Sequence, residues 1–169
     1  DQSGREYYER WEFLNSYSGC MLGNPALSVL ADAYVKGIRT YDAEKAYQYA
    51  VNTSCRFGND SLGYTPGALS ISHTLEYAYA DWCLARFAEA TGNQEIAKAY
   101  YKKAQNYRNL FYPEKGFMWA RDANGKWRDN FDATEWGGPF TEGCSWHWIW
   151  SVFHDPEGLS TLLGGHEQM

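Results

Sequence analysis

No apolar run in this 169-residue chain reaches the ~18 consecutive residues that a membrane-crossing helix requires. Basic residues never cluster beyond the Lys102–Lys103 pair and the net charge is −6, which removes the electrostatic footprint of a nucleic-acid binder. The four cysteines (Cys20, Cys55, Cys83 and Cys144) show neither CxxC nor zinc-ligand spacing. Nor do His73, His147 and His154 stand at metal-ligand spacing from one another, and Gly58 to Ser61 does not form an EF-hand loop. No unit of fixed length recurs, which argues against a helical-repeat scaffold. The opening residues carry no basic or apolar leader pattern and no initiator Met, so the chain reads as a piece of something longer, truncated at both ends. Two tripeptides, Asn52-Thr53-Ser54 and Asn59-Asp60-Ser61, fit the glycosylation sequon.

What the chain has in excess is aromatic surface. Aromatics make up 18% of it, with fourteen tyrosines and eight tryptophans, enough to build a core or to line a carbohydrate cleft. Its periodicity is helical. Tyr7, Tyr8, Trp11 and Leu14 are spaced for a short helix within residues 1–18. Asn24-Pro25 opens a helix that Gly37 closes, and it is apolar on nearly every side. Asp42 caps the next, whose single stripe (Ala43, Ala46, Tyr47, Ala50, Val51) marks a surface helix. Ser70 or Ser72 opens a long, mostly apolar helix to Thr91, and Asn93 caps another to about Leu110, again with one apolar stripe. Gly116 to Arg128 is predicted as a β-hairpin turning at Asn124-Gly125. An aromatic helix over Cys144 to Phe153 follows, then a last helix from Asp155-Pro156 to Gly164-Gly165. Buried and surface helices therefore alternate. That order predicts an all-α fold with one small hairpin: residues 1–169 as a single segment, about half, of an (α/α)6 barrel of inner and outer helices. Half a barrel exposes the apolar inner face that its missing half would cover.

In such a barrel the loops that enter the inner helices converge on one mouth. The last of these runs into Trp136 to Asp155, which packs four of the eight tryptophans around one carboxylate, Glu142. Indole faces stack on the C–H faces of sugar rings, and a carboxylate held against such walls loses solvation, which favours its protonated form. That is the chemistry required of a glycosidase general acid. Glu142 is accordingly the candidate acid, with Trp136, Trp146, His147 and Trp148 as candidate substrate contacts. The plainer alternative makes these indoles core and Glu142 a helix cap. Glu76 is a further candidate contact to a sugar hydroxyl. It stands five residues from Asp81, about 140° around the helix, so the two carboxylates do not share a face.

The segments Phe-Thr-Glu-Gly-Cys-Ser-Trp-His-Trp (Phe140 to Trp148), Phe-His-Asp (Phe153 to Asp155) and Gly-Leu-Ser-Thr-Leu-Leu-Gly-Gly (Gly158 to Gly165) resemble the catalytic region of glycoside hydrolase family 92. Gly19 to Ile38 and His73 to Cys83 match it as well, so the resemblance runs from about Gly19 to the C-terminus. Ala80 stands where the family usually shows an acidic residue. The family comprises calcium-dependent, inverting exo-α-mannosidases. The resemblance implies a mannose-containing glycan as partner, α-1,2 linkages, export from the cell, and Glu142 as the general acid. Inversion also requires a second carboxylate, ~6.5–9.5 Å away, to activate water. The family draws that base, and much of its calcium site, from motifs further downstream, and its N-terminal β-sandwich has no counterpart here. The expectation is an enzyme segment that holds the acid without the base, with its metal ligands unassigned, and is inactive alone. A non-catalytic carbohydrate-binding or helical interaction module is the alternative. A trehalase-like α/α-barrel glycosidase would share the architecture without the motifs.

Overall fold

The computed structural model describes residues 4–14, 16–59 and 61–169. In chain order the elements are β1 (Glu12–Phe13), β2 (Ser16–Tyr17), α1 (Pro25–Val35), α2 (Ala43–Phe57), α3 (Ser70–Ala90) and α4 (Gln94–Lys103). A 3₁₀ segment (Ala104–Leu110), β3 (Phe111–Tyr112), β4 (Phe117–Met118), α5 (Ser145–Trp148) and α6 (Pro156–Leu163) complete it. The protein is thus mostly helical, with two small antiparallel strand pairs, β1–β2 and β3–β4. Two compact units form: Asp1–Gly58 with Glu76–Gln105, and Asn59–Leu75 with Asn106–Met169.

In the first unit α1, α2, α3 and α4 bury one apolar cluster that includes Leu27, Tyr47, Leu84, Phe87 and Tyr100. Phe87 anchors it, with Tyr34 at 5.2 Å and Tyr47 edge-on at 5.8 Å between ring centroids. Removing so enclosed a ring costs about 3–5 kcal/mol. Asp42 caps α2 as its sequence indicates, its side chain accepting from the Lys45 N–H at 3.0 Å. Asn24 starts α1 without a side-chain cap; its amide instead donates to the Phe57 carbonyl.

The second unit is built around Trp119, which is inaccessible to solvent. Its indole N–H donates to the Arg128 carbonyl at 2.7 Å, so the ring's polar atom is satisfied inside the core. Phe131 and Phe140 flank it at 4.9 and 6.1 Å. Asp155 caps α6 by accepting from the Gly158 N–H, and Gly164 ends that helix in the left-handed conformation at φ 98°.

Five expectations change. The N-terminal stretch forms β1 and β2, not a helix: Trp11 and Leu14 adopt φ of 50°, which a right-handed helix does not accommodate. The helical spacing of Tyr7 and Tyr8 serves packing instead, with Tyr7 edge-on to Phe57 and the Tyr8 N–H bonded to Thr53. Helix α1 buries Leu27 and Ala31 but leaves Val29 and Val35 exposed, because its unit supplies a partner for one face only. The fourth helix stops at Lys103 and tightens into the 3₁₀ segment, which runs on to Leu110 and leads directly into β3. The predicted hairpin divides. Phe117 and Met118 pair backwards with Tyr112 and Phe111, while across the Asn124-Gly125 turn Arg121 bridges Trp127, the Arg128 N–H donates to the Ala120 carbonyl and the Asp122 N–H to the Lys126 carbonyl, and the Asp122 side chain accepts from the Asn124 and Lys126 N–H groups. Finally, the aromatic helix shrinks to the single turn of α5.

Candidate active site

The loop from Asp129 to Gly143 is pinned where it enters α5. Arg128 forms a two-pronged ion pair with Glu135, at 2.6 and 2.8 Å. The Gly137 N–H donates to the Gly143 carbonyl, and the Phe140 N–H donates back to the Gly137 carbonyl. The first turn of α3 holds the same loop: the Ile71 N–H donates to the Pro139 carbonyl at 3.2 Å, and Ser72 Oγ accepts from the Thr141 N–H at 2.8 Å.

Glu142 follows directly. It is exposed and sits at φ 49°, a left-handed conformation that few residues with a Cβ adopt. The neighbouring peptide is fixed by Trp148, whose indole N–H donates to the Thr141 carbonyl at 3.0 Å. The same ring lies against Gly143, where a Cβ would fall 3.0 Å from Nε1 and 3.1 Å from Cδ1, tighter than most real Cβ contacts. Trp148 is therefore only half-buried but has its polar atom fully engaged.

The other candidates are arranged differently from one another. Trp136, 67% exposed, meets exposed His147 edge-on at 5.7 Å. Nδ1 of His147 accepts from the Cys144 N–H at 3.2 Å, so its neutral form carries the proton on Nε2. Trp146 is 56% exposed and packs its edge on Phe117 at 4.7 Å. Trp150 and Phe153 are exposed as well. These residues do not enclose Glu142: the indoles are held by Phe117, His147 and Thr141, and leave the carboxylate open to solvent. The expected burial of Glu142 among Trp136, Trp146 and Trp148 is thus not found. Nor does Glu142 cap α5, a position Cys144 takes.

Glu76 belongs to the first unit and lies in the second turn of α3. It is half-buried against the backbone of Gly23, and burial raises its pKa. Asp81 is almost inaccessible and accepts a 2.6 Å hydrogen bond from Ser54. Burial pushes it up to about 6, against the lowering influence of Ser54 and Lys103. Asp155 is tied to Tyr107 at 2.7 Å, Arg108 at 3.1 Å and the Gly158 N–H, and Glu157 pairs with His166 in solvent. Among the described residues no three His, Cys, Asp or Glu side chains gather as a metal site.

Sequence reasoning missed Ser72, Thr141 and Gly143 as parts of the site. Of these only Gly143 left a local trace, a glycine directly after the acidic residue.

The segment that carries Glu142 also carries the exposed indoles of Trp136, Trp146 and Trp150. The chain belongs to glycosyl hydrolase family 92: residues 1–169 match its catalytic domain throughout. It is 54% identical, with a TM-score of 0.89 over 96% of its length, to a family GH92 inverting mannosidase from Bacteroides thetaiotaomicron. A GH92 α-mannosidase of the same bacterium aligns at 34% identity and a TM-score of 0.88, also over 96% of the chain. A secreted glycosidase of Arthroderma benhamiae, itself uncharacterised, shares 27% identity across 86% of the chain. The chain spans about a quarter of each of these proteins: 24%, 23% and 25%. No helix among the described residues is long and apolar enough to cross a membrane.

Proposed function

We propose that these residues are one segment, about half, of the (α/α)6 catalytic domain of an inverting exo-α-mannosidase that removes terminal α-mannose, chiefly α-1,2-linked, in glycan degradation. Glu142 is its general acid. Its carboxyl gives a proton to the glycosidic oxygen as the C1–O bond breaks, while water adds to C1 from the opposite face and passes its own proton to a second carboxylate. The observation that carries this reading is the presentation of Glu142: exposed, in a backbone conformation held from both sides, in the same segment as the exposed indoles of Trp136 and Trp146. Trp136, Trp146 and His147 are then sugar contacts, and Glu76 a further polar contact. Export accords with the secreted relative.

The base and most of the calcium site lie outside these residues. Asp155, the nearest downstream Asp, is engaged as the cap of α6 and by Tyr107 and Arg108, and Glu157 is engaged by His166. The N-terminal β-sandwich and the rest of the barrel likewise belong to the remaining three quarters of the enzyme. The exposed indoles also suit a non-catalytic carbohydrate-binding module, which is the rival reading.

Hydrolysis of an aryl α-mannoside and of α-1,2-mannobiose, with calcium and with chelator, separates the two. The full-length protein should be active and lose activity to the chelator, and these 169 residues alone should be inert. Activity in the isolated chain would return Asp155, Glu157 and Glu76 to consideration as base. Inactivity of both proteins would favour the binding module.

A further inference from the structure

Trp148 has the chemistry of a sugar contact, but its geometry serves another role. The indole N–H is directed at the main chain, donating to the Thr141 carbonyl at 3.0 Å. The ring closes over Gly143, on the other side of Glu142, so closely that a Cβ there would press on Nε1 and Cδ1 at 3.0 and 3.1 Å. Seen from the backbone, the Glu142 residue is enclosed by two fixed peptides. Ahead of it, Thr141 has its N–H anchored on Ser72 Oγ, from α3, and its carbonyl on Trp148, from α5. Behind it, the Gly143 carbonyl accepts from the Gly137 N–H. Ser72 is wholly inaccessible, so its acceptor oxygen has no competition from water.

A clamp of this kind has a physical purpose. Glutamate at φ 49° lies above the energy of an ordinary extended or helical residue and would relax if either flanking peptide were free. Holding it there fixes the direction in which the side chain leaves the main chain. Proton transfer depends steeply on that direction, because the donor oxygen has to stand within hydrogen-bond reach of the glycosidic oxygen. A misplacement of about 1 Å can lower a rate on the order of 10²-fold.

We propose that Trp148 and Ser72 are positioning residues for Glu142: together they lock the Thr141–Gly143 peptides and so aim the acid at the leaving-group oxygen. The proposal rests on Glu142 being the general acid. Trp148 then acts through the backbone and not on the sugar.

The test uses the full-length enzyme with Trp148→Phe, which keeps a ring but removes the N–H, and Ser72→Ala, which removes the acceptor. Each is assayed on α-1,2-mannobiose, whose leaving group needs a proton, and on 2,4-dinitrophenyl α-mannoside, whose leaving group does not. Glu142→Gln is assayed beside them. Both positioning variants should turn over the disaccharide more slowly, by a factor on the order of 10 to 10², with KM nearly unchanged and little loss on the dinitrophenyl substrate. Equal losses on both substrates would reduce Trp148 and Ser72 to structural support, and a rise in KM with kcat intact would restore Trp148 as a sugar contact; either overturns the proposal. If Glu142→Gln itself shows no leaving-group dependence, the general-acid reading falls. If it does and the positioning variants do not, only the clamp falls.

Discussion

Asp81 shows how far surroundings move one side chain. Its carboxyl lies inside α3 with Ser54 as its hydrogen-bond donor, and burial raises its pKa from 3.8 to about 6. The fold therefore favours the protonated form. The stability this group contributes is complete below about pH 3.8 and is lost as pH rises through about 6. Asp81→Asn, which keeps an acceptor for Ser54 and stays neutral, should match the wild type near pH 4 and exceed it above pH 6. A gain of up to about 3 kcal/mol corresponds to a shift of roughly two pKa units. Thermal midpoints of both proteins from pH 4 to 7.5 check it; a difference that stays constant with pH would be contrary. The sequence marks Asp81 and Glu76 as unusual charges in an apolar helix and places them on different faces. It does not show that Asp81 faces Ser54, because that pair is 27 residues apart in the chain. Glu142 is equally legible as a motif, while the Ser72 that anchors its neighbour is 69 residues away from Thr141.

At the scale of elements, what is legible is what is local. Asp42 and Asp155 cap their helices, and Gly164 ends α6, because cap chemistry acts within one turn of the residue. Segments set by distant partners escape a local reading. Residues Tyr7 and Tyr8 carry a helical spacing that α2 overrides, and Phe117–Met118 pairs with a strand hidden at the end of a helical pattern. The start of α6 offers a sharp test. Gly158 stands in the first turn, where a Cβ would collide with Asp155 Oδ2, Arg108 Nη2 and the Tyr107 hydroxyl. Glycine to alanine in a helix ordinarily gains up to about 1 kcal/mol. Here the collision should win, and Gly158→Ala should destabilise the protein by about 1–3 kcal/mol, as overpacking does. Chemical denaturation measures it, and Tyr107→Phe combined with Gly158→Ala should recover part of the loss, since it removes one of the colliding atoms.

For the whole molecule, the sequence indicates a helical glycosidase segment, and family membership across residues 1–169 agrees. Most side chains of α3 are inaccessible, while α1 leaves Val29 and Val35 in solvent, the kind of apolar exposure expected of half a barrel. The motif around Glu142 is readable because it is contiguous. The exposure of that carboxylate is not, because counting tryptophans in a sequence does not say which way their rings turn. Here Trp146 leans on Phe117, and Trp148 reaches back to Thr141. The central claim is that Glu142 supplies the proton, and the most direct measurement is turnover of α-1,2-mannobiose by the full-length enzyme carrying Glu142→Gln. The expected result is turnover slowed by about 10²-fold or more, with substrate binding retained. Turnover at the wild-type rate would contradict it and leave the exposed indoles as the face of a binding module.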